Sequence, residues 1–173
     1  ATFQENALTD TARGATYQLI SESTAAQSSD PARLTSFNSN GFSLGSSARY
    51  NESNYPFVSW SFAKQAKFFD VVTYTGDGNT GRTISHNLGS TPGCILIKRT
   101  DASSDWTGWH RNNGIANQAY AELSLNLASK PADGAIFSQD TVTSTTFNPQ
   151  EIYNAAGMVT SNVSGATYVA YLF

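Results

Sequence analysis

Charged side chains are scarce in this sequence of 173 residues, because Asp, Glu, Lys and Arg together make up only 13%. That share is about half of what an average soluble domain carries. The ten Lys and Arg residues are scattered, the net charge is −3, and the longest basic cluster is the pair Lys98 and Arg99. Proteins that track phosphates need a basic face. The composition therefore argues against a nucleic-acid partner.

Cysteine, histidine and long apolar runs are also nearly absent. The single cysteine, Cys94, rules out an internal disulfide framework, and its place in the run "CILI" indicates a core thiol. The two histidines, His86 and His110, are too few for a histidine-based metal site, so we expect no metal and no cofactor. No apolar run approaches the roughly 20 residues that span a bilayer. The sequence opens on Ala1 without a signal peptide, which indicates a processed product, an excised fragment or an incomplete sequence.

Aromatic and small polar residues take the place of the missing charge. The chain has eight Tyr, ten Phe and three Trp, interrupted by Ser, Thr, Asn and Gly. Apolar residues alternate with polar ones and helical periodicity is weak, which predicts an all-β, antiparallel β-sandwich. Strands are expected near residues 15–21, 33–38, 56–62, 68–75, 82–86, 93–100, 105–111, 121–127, 143–149 and 167–173.

An internal repeat is visible in the sequence. The stretch "FVSWSF" at residues 57–62 resembles "YVAYLF" at residues 168–173, and upstream of these Phe37 aligns with Phe147. The second stretch has apolar residues on both faces, which is typical of a central strand or of a strand covered on its outer side by the partner copy. Sheet-on-sheet burial should stabilise the fold. The expected core consists of Phe37, Phe57, Trp60, Val71, Ile84, Ile95, Ile97, Leu125, Phe147, Val169 and Tyr171.

The two copies of the repeat are unequal in length. Only the second copy contains the block of residues 68–100, so we predict a tandem repeat with an incomplete first copy. Residues 1–62 would form the C-terminal part of a first β module, residues 63–67 a linker, and residues 68–173 a complete second module. A sheet that lacks neighbouring strands leaves an open edge. We therefore expect a neighbouring subunit, or residues outside this sequence, to complete the first module.

Two short patterns look like catalytic motifs but lack the context that those motifs require. "GDGNTG" at residues 76–81 fits the dinucleotide pattern, but strand and turn residues follow it instead of a helix, so we interpret it as a hairpin loop. A calcium ion on Asp77 and Asn79 is the alternative, although two oxygen side chains are too few. "GFSLG" at residues 41–45 fits the nucleophile elbow, but we interpret it as a short turn; a hydrolase built on Ser43 and a histidine is the alternative.

One candidate binding site is suggested by aromatic and polar residues near position 110. Trp106 and Trp109 are three residues apart, so in a strand they face opposite sides, one inward and the other exposed. An exposed indole beside His110 and Arg111 would suit carbohydrate, because aromatic faces and hydrogen-bonding groups bind sugars. The alternative is a core tryptophan with solvated neighbours.

Several stretches together resemble a known module of unknown function. They are "DTARG", "TSFNSNGFSLG", "FVSWSF", "KFFDVVTYTGDGNTGRTISHNLGSTPGCILIKRTD", "DWTGWHR" and "GATYVAYLF", and they cover nearly the whole chain. The module is found in structural proteins of tailed bacteriophages, notably marine and cyanobacterial phages, including tail-fibre-like virion proteins with tandem copies. The loop "FNPQEIYNAAGMV" departs from the pattern. The resemblance offers no catalytic residue to carry over.

We therefore expect a non-enzymatic structural protein of a phage virion. A tail-fibre or surface-appendage module that acts in assembly or host attachment fits the resemblance best. The alternatives are a capsid decoration protein and a carbohydrate-binding receptor-recognition module. Expected partners are other virion subunits in a homo-oligomer, a trimer by resemblance, and a host-surface glycan in the receptor-binding alternative. Neither nucleic acid nor a membrane is expected.

Overall fold

The computed structural model describes residues 5–111, 125–126, 142–149 and 161–173, and these residues form a nearly all-β fold. The strands pair in an antiparallel manner. The prediction of an all-β fold is therefore confirmed. The elements are β1 (Ala7–Asp10), β2 (Gly14–Ile20), β3 (Ser28–Ser29), β4 (Leu34–Asn38), β5 (Gly41–Leu44), α1 (Ala48–Asn51), β6 (Asp70–Thr75), β7 (Ile84–Ser85), β8 (Cys94–Arg99), β9 (Thr107–His110), β10 (Thr146–Phe147) and β11 (Thr167–Leu172).

A four-stranded sheet in the order β6-β11-β8-β9 contains most of the long strands. Strand β11 pairs with β6 on one side and with β8 on the other, so that Ala170 lies opposite both Val72 and Ile97. Its alternating residues are buried on both faces, with Ala170 on one side and Val169 and Tyr171 on the other. The prediction that this stretch is a central strand is confirmed.

Two hydrophobic clusters pack on opposite faces of the four-stranded sheet. The first cluster includes residues of the short β7–β10 pair, which covers one face. The second cluster includes a residue of β2, which covers the other face. The first cluster consists of Tyr74, Ile84, Leu88, Ile95, Ile97, Trp109, Val142, Phe147, Ala166, Tyr168, Ala170 and Leu172. The second consists of Leu19, Phe69, Val71, Trp106, Val169 and Tyr171.

The N-terminal sheet, in the order β1-β2-β3, is joined to the four-stranded sheet by this second cluster and by hydrogen bonds. Trp106 Nε1 donates to the carbonyl of Ile20 at 2.9 Å. The backbone N–H of Gln27 donates to the carbonyl of Thr100 at 3.0 Å. Residues before and after the 63–67 stretch therefore share one buried layer. The division into modules at 1–62 and 68–173 stays a prediction.

Four residues predicted for the core are exposed instead. Phe37, Phe57, Trp60 and Leu125 have exposed fractions of 37%, 48%, 80% and 43%. The strand predicted at residues 56–62 is wrong, because these residues pair with no strand in the part of the chain that the structure describes. An alternating pattern shows that a segment could be buried, but it does not supply the layer that covers it. The other predicted core residues are buried: Val71, Ile84, Ile95, Ile97, Phe147, Val169 and Tyr171.

Two segments that were predicted to be turns agree with the structure only in part. Residues 41–45, interpreted as a turn, contain strand β5, which forms a hairpin with β4 around residues 39–40. Residues 76–81 do form a loop, and Gly78 has the positive φ of 75° expected of a turn glycine. They do not join a hairpin, because β6 pairs with β11 and not with β7. The strand predicted at 121–127 lies outside the described residues, apart from positions 125 and 126.

Candidate functional site

Residues 55–62, which we call the aromatic segment, expose several large apolar side chains. Val58 and Trp60 are 83% and 80% exposed, the highest values among the large apolar side chains that the structure describes. Tyr55, Phe57 and Phe62 are also exposed. The sequence from 53 to 63 carries no charged residue. An apolar, uncharged stretch of this kind is typical of an interaction surface.

The aromatic segment is held at both of its ends. On its N-terminal side, Tyr50 of α1 donates a hydrogen bond through its hydroxyl to Gln18 Oε1 of β2. On its C-terminal side, the Phe62 ring lies 5.8 Å from the ring of Phe69 and 5.9 Å from that of Phe173. The segment is thus tied to the folded part at each end, with its exposed residues between the two anchors.

A buried polar network ties β1 and β2 to strand β11. Tyr171 donates its hydroxyl to Asp10 Oδ2 at 2.8 Å and accepts from Arg13 Nη2 at 3.0 Å. Arg13 Nη2 also lies 2.6 Å from Asp10 Oδ2, and both side chains are almost fully buried. Burial raises the pKa of Tyr171 far above its ordinary value. The network explains how a buried ion pair is tolerated, since each charge has close hydrogen-bonding partners.

A second set of hydrogen bonds between the N-terminal region and the residues around β8 shares one backbone carbonyl as its acceptor. The carbonyl of Thr24 accepts from the Ser104 N–H at 2.9 Å, from Lys98 Nζ at 3.1 Å and from Ser103 Oγ at 3.2 Å. Lys98 is fully buried on β8, and burial lowers its pKa to about 8. Nothing in the local sequence marked this lysine as internal. Its burial depends on the covering residues 21–27, which are remote in sequence.

An open cleft of mixed polar and apolar lining lies between the N-terminal sheet and strand β6, and we call it the β6 cleft. Its volume is about 440 Å³. Two side-chain atoms of its lining residues, Arg13 Nη1 and Gln27 Oε1, are buried without a hydrogen-bonding partner. The sequence did not predict this cleft, because the residues that form it come from several distant strands. The lining residues are Ala12, Arg13, Tyr17, Gln27, Thr73, Tyr74, Thr75, Thr100, Thr167 and Tyr168.

The four residues predicted for sugar binding are adjacent, but their tryptophans are buried. Trp106 and Trp109 do face opposite sides of the sheet, as predicted, with exposed fractions of 0% and 3%. The expectation that one indole is exposed is wrong, because β2 covers the side on which Trp106 lies. His110 and Arg111 are exposed, and Arg111 Nη2 donates to the Thr91 carbonyl at 3.1 Å. Neither indole offers a free face to a sugar ring.

The serine and the inner histidine singled out by motif are engaged in local contacts. Ser43 Oγ accepts a hydrogen bond from Asn38 Nδ2 at 2.9 Å across the β4–β5 hairpin. His86 is buried, and its Nδ1 accepts from the Leu88 N–H at 3.2 Å. Burial lowers the pKa of His86, which keeps the imidazole neutral near pH 7. These contacts support a structural role for both residues.

The loop of residues 76–81 is held by a hydrogen bond within it and by contacts with Asn162 and Arg82. Asp77 Oδ1 accepts from the Asn79 N–H at 2.9 Å and from Asn162 Nδ2 at 3.1 Å, and Arg82 lies 3.3 Å from Asp77 Oδ2. The Asn79 bond and these neighbours lower the pKa of Asp77 to about 2. Within the described residues, no group of three or more His, Cys, Asp or Glu could hold a metal ion. Through these hydrogen bonds, the Asp77 carboxylate stabilises the loop.

The described part of the chain contains no helix that is long and apolar enough to cross a membrane. In comparisons with known proteins, a family model described as a domain of unknown function (DUF7483) matches residues 1–173. No curated protein and no solved structure matches the chain.

Proposed function

We propose that this chain, which belongs to the family described as a domain of unknown function (DUF7483), is a non-enzymatic structural module of a phage virion. It would act in assembly within a tail fibre or a similar surface appendage. The observation that carries the assembly role is the exposed aromatic segment. The phage setting is supported by the resemblance of blocks such as "GRTISHNLGSTPG" to virion modules.

The covering partner of the aromatic segment is a second copy of this chain. Residues 57–62 share the apolar pattern of residues 168–173, which this same chain buries between β6 and β8. The absence of charge from 53 to 63 removes the electrostatic complementarity by which a different partner would be selected. Symmetric self-association is the commonest way to cover such a surface. For an appendage, we propose a trimer.

The free energy gained by burying the exposed apolar side chains determines how many of them the interface must include. Full burial of one large apolar side chain contributes about 1.5–3 kcal/mol, so Val58 and Trp60 together supply about 3–6 kcal/mol per copy. Association costs an estimated 4–15 kcal/mol. In a symmetric pair both copies contribute, so the two residues supply about 6–12 kcal/mol in all, which offsets only the lower part of that range. We therefore propose that Tyr55 and Phe57, which are also exposed, lie in the same interface.

The non-enzymatic part of the proposal is supported by the positions of the chemically active residues. Ser43 is bound to Asn38, and His86 accepts a backbone hydrogen bond inside the core. The Asp77 carboxylate braces a loop. The expected result is that Ser43→Ala leaves every measurable property except local hairpin stability unchanged. Hydrolysis of an ester substrate by the wild type, lost in this variant, would contradict the proposal.

The assembly role is tested by sedimentation velocity on the full chain and two variants. Trp60→Ser should shift the population from oligomer to monomer, because it removes the most exposed aromatic ring. Leu44→Ser is the matched control, since Leu44 is an exposed apolar residue on the β4–β5 hairpin outside the segment. A wild type that stays monomeric at every concentration, or two variants with the same effect, would contradict self-association through this segment.

The place on the particle is tested by a density map of an intact virion that carries this protein. Density for this chain on a tail fibre or another appendage is the expected result. Density on the shell would replace the proposal with a capsid decoration protein.

A further inference from the structure

The β6 cleft has the volume of a small-ligand site, and its open lining mixes polar and apolar groups. Its volume of about 440 Å³ falls within the range of roughly 300–1,000 Å³ that is typical of ligand pockets. Threonines 73, 75 and 167 line one side, and Arg13, Tyr17 and Gln27 line the other. Tyr17 is 38% exposed, so part of its ring is open to solvent. An aromatic ring beside several hydroxyl groups is a surface on which a sugar can rest.

The backbone of β6 adds donors and acceptors to this cleft. Strand β6 lies at the edge of its sheet and pairs only with β11 among the strands that the structure describes. The Gly76 N–H bonds to the Ala166 carbonyl, which fixes the alternation of the ladder. By that alternation, Thr73 and Thr75 turn their N–H and C=O groups away from β11. Both residues line the cleft, so these groups lie along its border.

Arg13 brings no unbalanced charge to the cleft. Its side chain is 3% exposed, and its Nη2 lies 2.6 Å from Asp10 Oδ2. Arg13 Nη1 and Gln27 Oε1 are buried, so they lie beneath the surface that a ligand in the cleft would touch. The groups that a ligand can reach are the exposed residues Thr73, Thr75 and Thr167, the Tyr17 ring and the open backbone groups of β6.

We propose that the β6 cleft binds a neutral saccharide. A sugar hydroxyl both donates and accepts, so one ligand can bond to the threonine hydroxyls and to the open N–H and C=O groups of β6 together. Among the described residues that line the cleft, Arg13 is the only charged one, and its pairing with Asp10 disfavours an anionic ligand. The Tyr17 ring would stack on the apolar face of the sugar. This inference is independent of the proposed self-association, which uses residues 55–62.

An added peptide strand fits the cleft less well than a sugar does. The carbonyl of Val71 is already taken by Lys64 Nζ at 2.6 Å, so the open edge runs only from Thr73 to Thr75. Three residues of strand span about 10 Å. Strands in proteins usually have about 5–6 residues. A sugar of one or two rings matches the short edge better.

The test is saturation-transfer NMR on the full chain with a panel of neutral sugars: glucose, galactose, mannose, N-acetylglucosamine and their disaccharides. Tyr17→Ala is the cleft variant, and Phe37→Ala, which removes an aromatic ring of similar exposure, is the matched control outside both the cleft and the aromatic segment. Circular dichroism checks that each variant is folded. We expect transfer to at least one sugar, reduced about tenfold or more in Tyr17→Ala, since tenfold corresponds to the loss of one modest contact, and unchanged in Phe37→Ala.

Three results would overturn the proposal. The first is no transfer from the folded wild type to any sugar of the panel. The second is equal transfer in the wild type and in folded Tyr17→Ala. The third is a shift of the Thr73 and Thr75 amides with a peptide of residues 55–62 but not with sugars, which would assign the edge to strand addition.

Discussion

Replacing Tyr171 with phenylalanine removes one hydroxyl from the network that joins the N-terminal sheet to β11. That hydroxyl bonds to Asp10 Oδ2 and to Arg13 Nη2 at 2.8 and 3.0 Å. Asp10 and Arg13 keep their direct contact of 2.6 Å, and the ring keeps its place in the second cluster. A hydrogen bond to a charged group contributes about 1.5–3 kcal/mol, so the expected loss in the free energy of unfolding is about 2–3 kcal/mol.

The assay for this loss is urea denaturation followed by tryptophan fluorescence, with the slope m unchanged and the midpoint lowered. Tyr55→Phe is the matched control, because Tyr55 is exposed and its change should stay within about 0.5 kcal/mol. A Tyr171→Phe variant as stable as this control would refute the claim that the network holds the two sheets together.

Three further changes test the packing around the four-stranded sheet. Ile97→Ala should cost about 2–5 kcal/mol in urea denaturation, because Ile97 is fully buried in the first cluster; a loss below about 1 kcal/mol would contradict that packing. Gly76→Ala should destabilise the fold, since its Cβ would lie 2.1 Å from the Val163 carbonyl oxygen. The control Gly81→Ala meets no atom within 4 Å and should be neutral. Equal urea midpoints for the two variants would contradict the close approach at Gly76. Burial lowers the pKa of Lys98 to about 8 in the folded protein. Above that pH the unfolded chain therefore binds more protons than the folded protein does. The free energy of unfolding should rise with pH from about 8 to about 10 for this reason. Lys98→Met should remove this rise relative to the wild type, and an unchanged slope would contradict the burial.

The sequence predicted the fold class and the strands that the four-stranded sheet uses. Alternation and β-branched residues located β6, β8 and β11, because both faces of these strands are buried mainly by apolar residues. The same reasoning failed for Phe57 and Trp60. Their segment has the apolar content of a buried strand, but no strand among the described residues pairs with it. A local sequence pattern shows that a segment can be buried, but it does not show which other part of the protein buries it.

The candidate sites were harder to predict than the strands. Tryptophan spacing correctly placed Trp106 and Trp109 on opposite faces, but it could not show that β2 would cover the outer one. The β6 cleft depends on Arg13 and Gln27 meeting β6 across a long sequence separation. Buried Lys98 was missed for the same reason, because the carbonyl that holds it belongs to Thr24.

Acrylamide quenching of tryptophan fluorescence tests self-association through the aromatic segment most directly. Trp60 is 80% exposed, whereas Trp106 and Trp109 are buried within one chain, so the quenchable signal reports on Trp60. We predict that quenching falls as protein concentration rises, in step with oligomer formation in sedimentation. Quenching that stays high in a species shown to be oligomeric would contradict burial of the segment between copies.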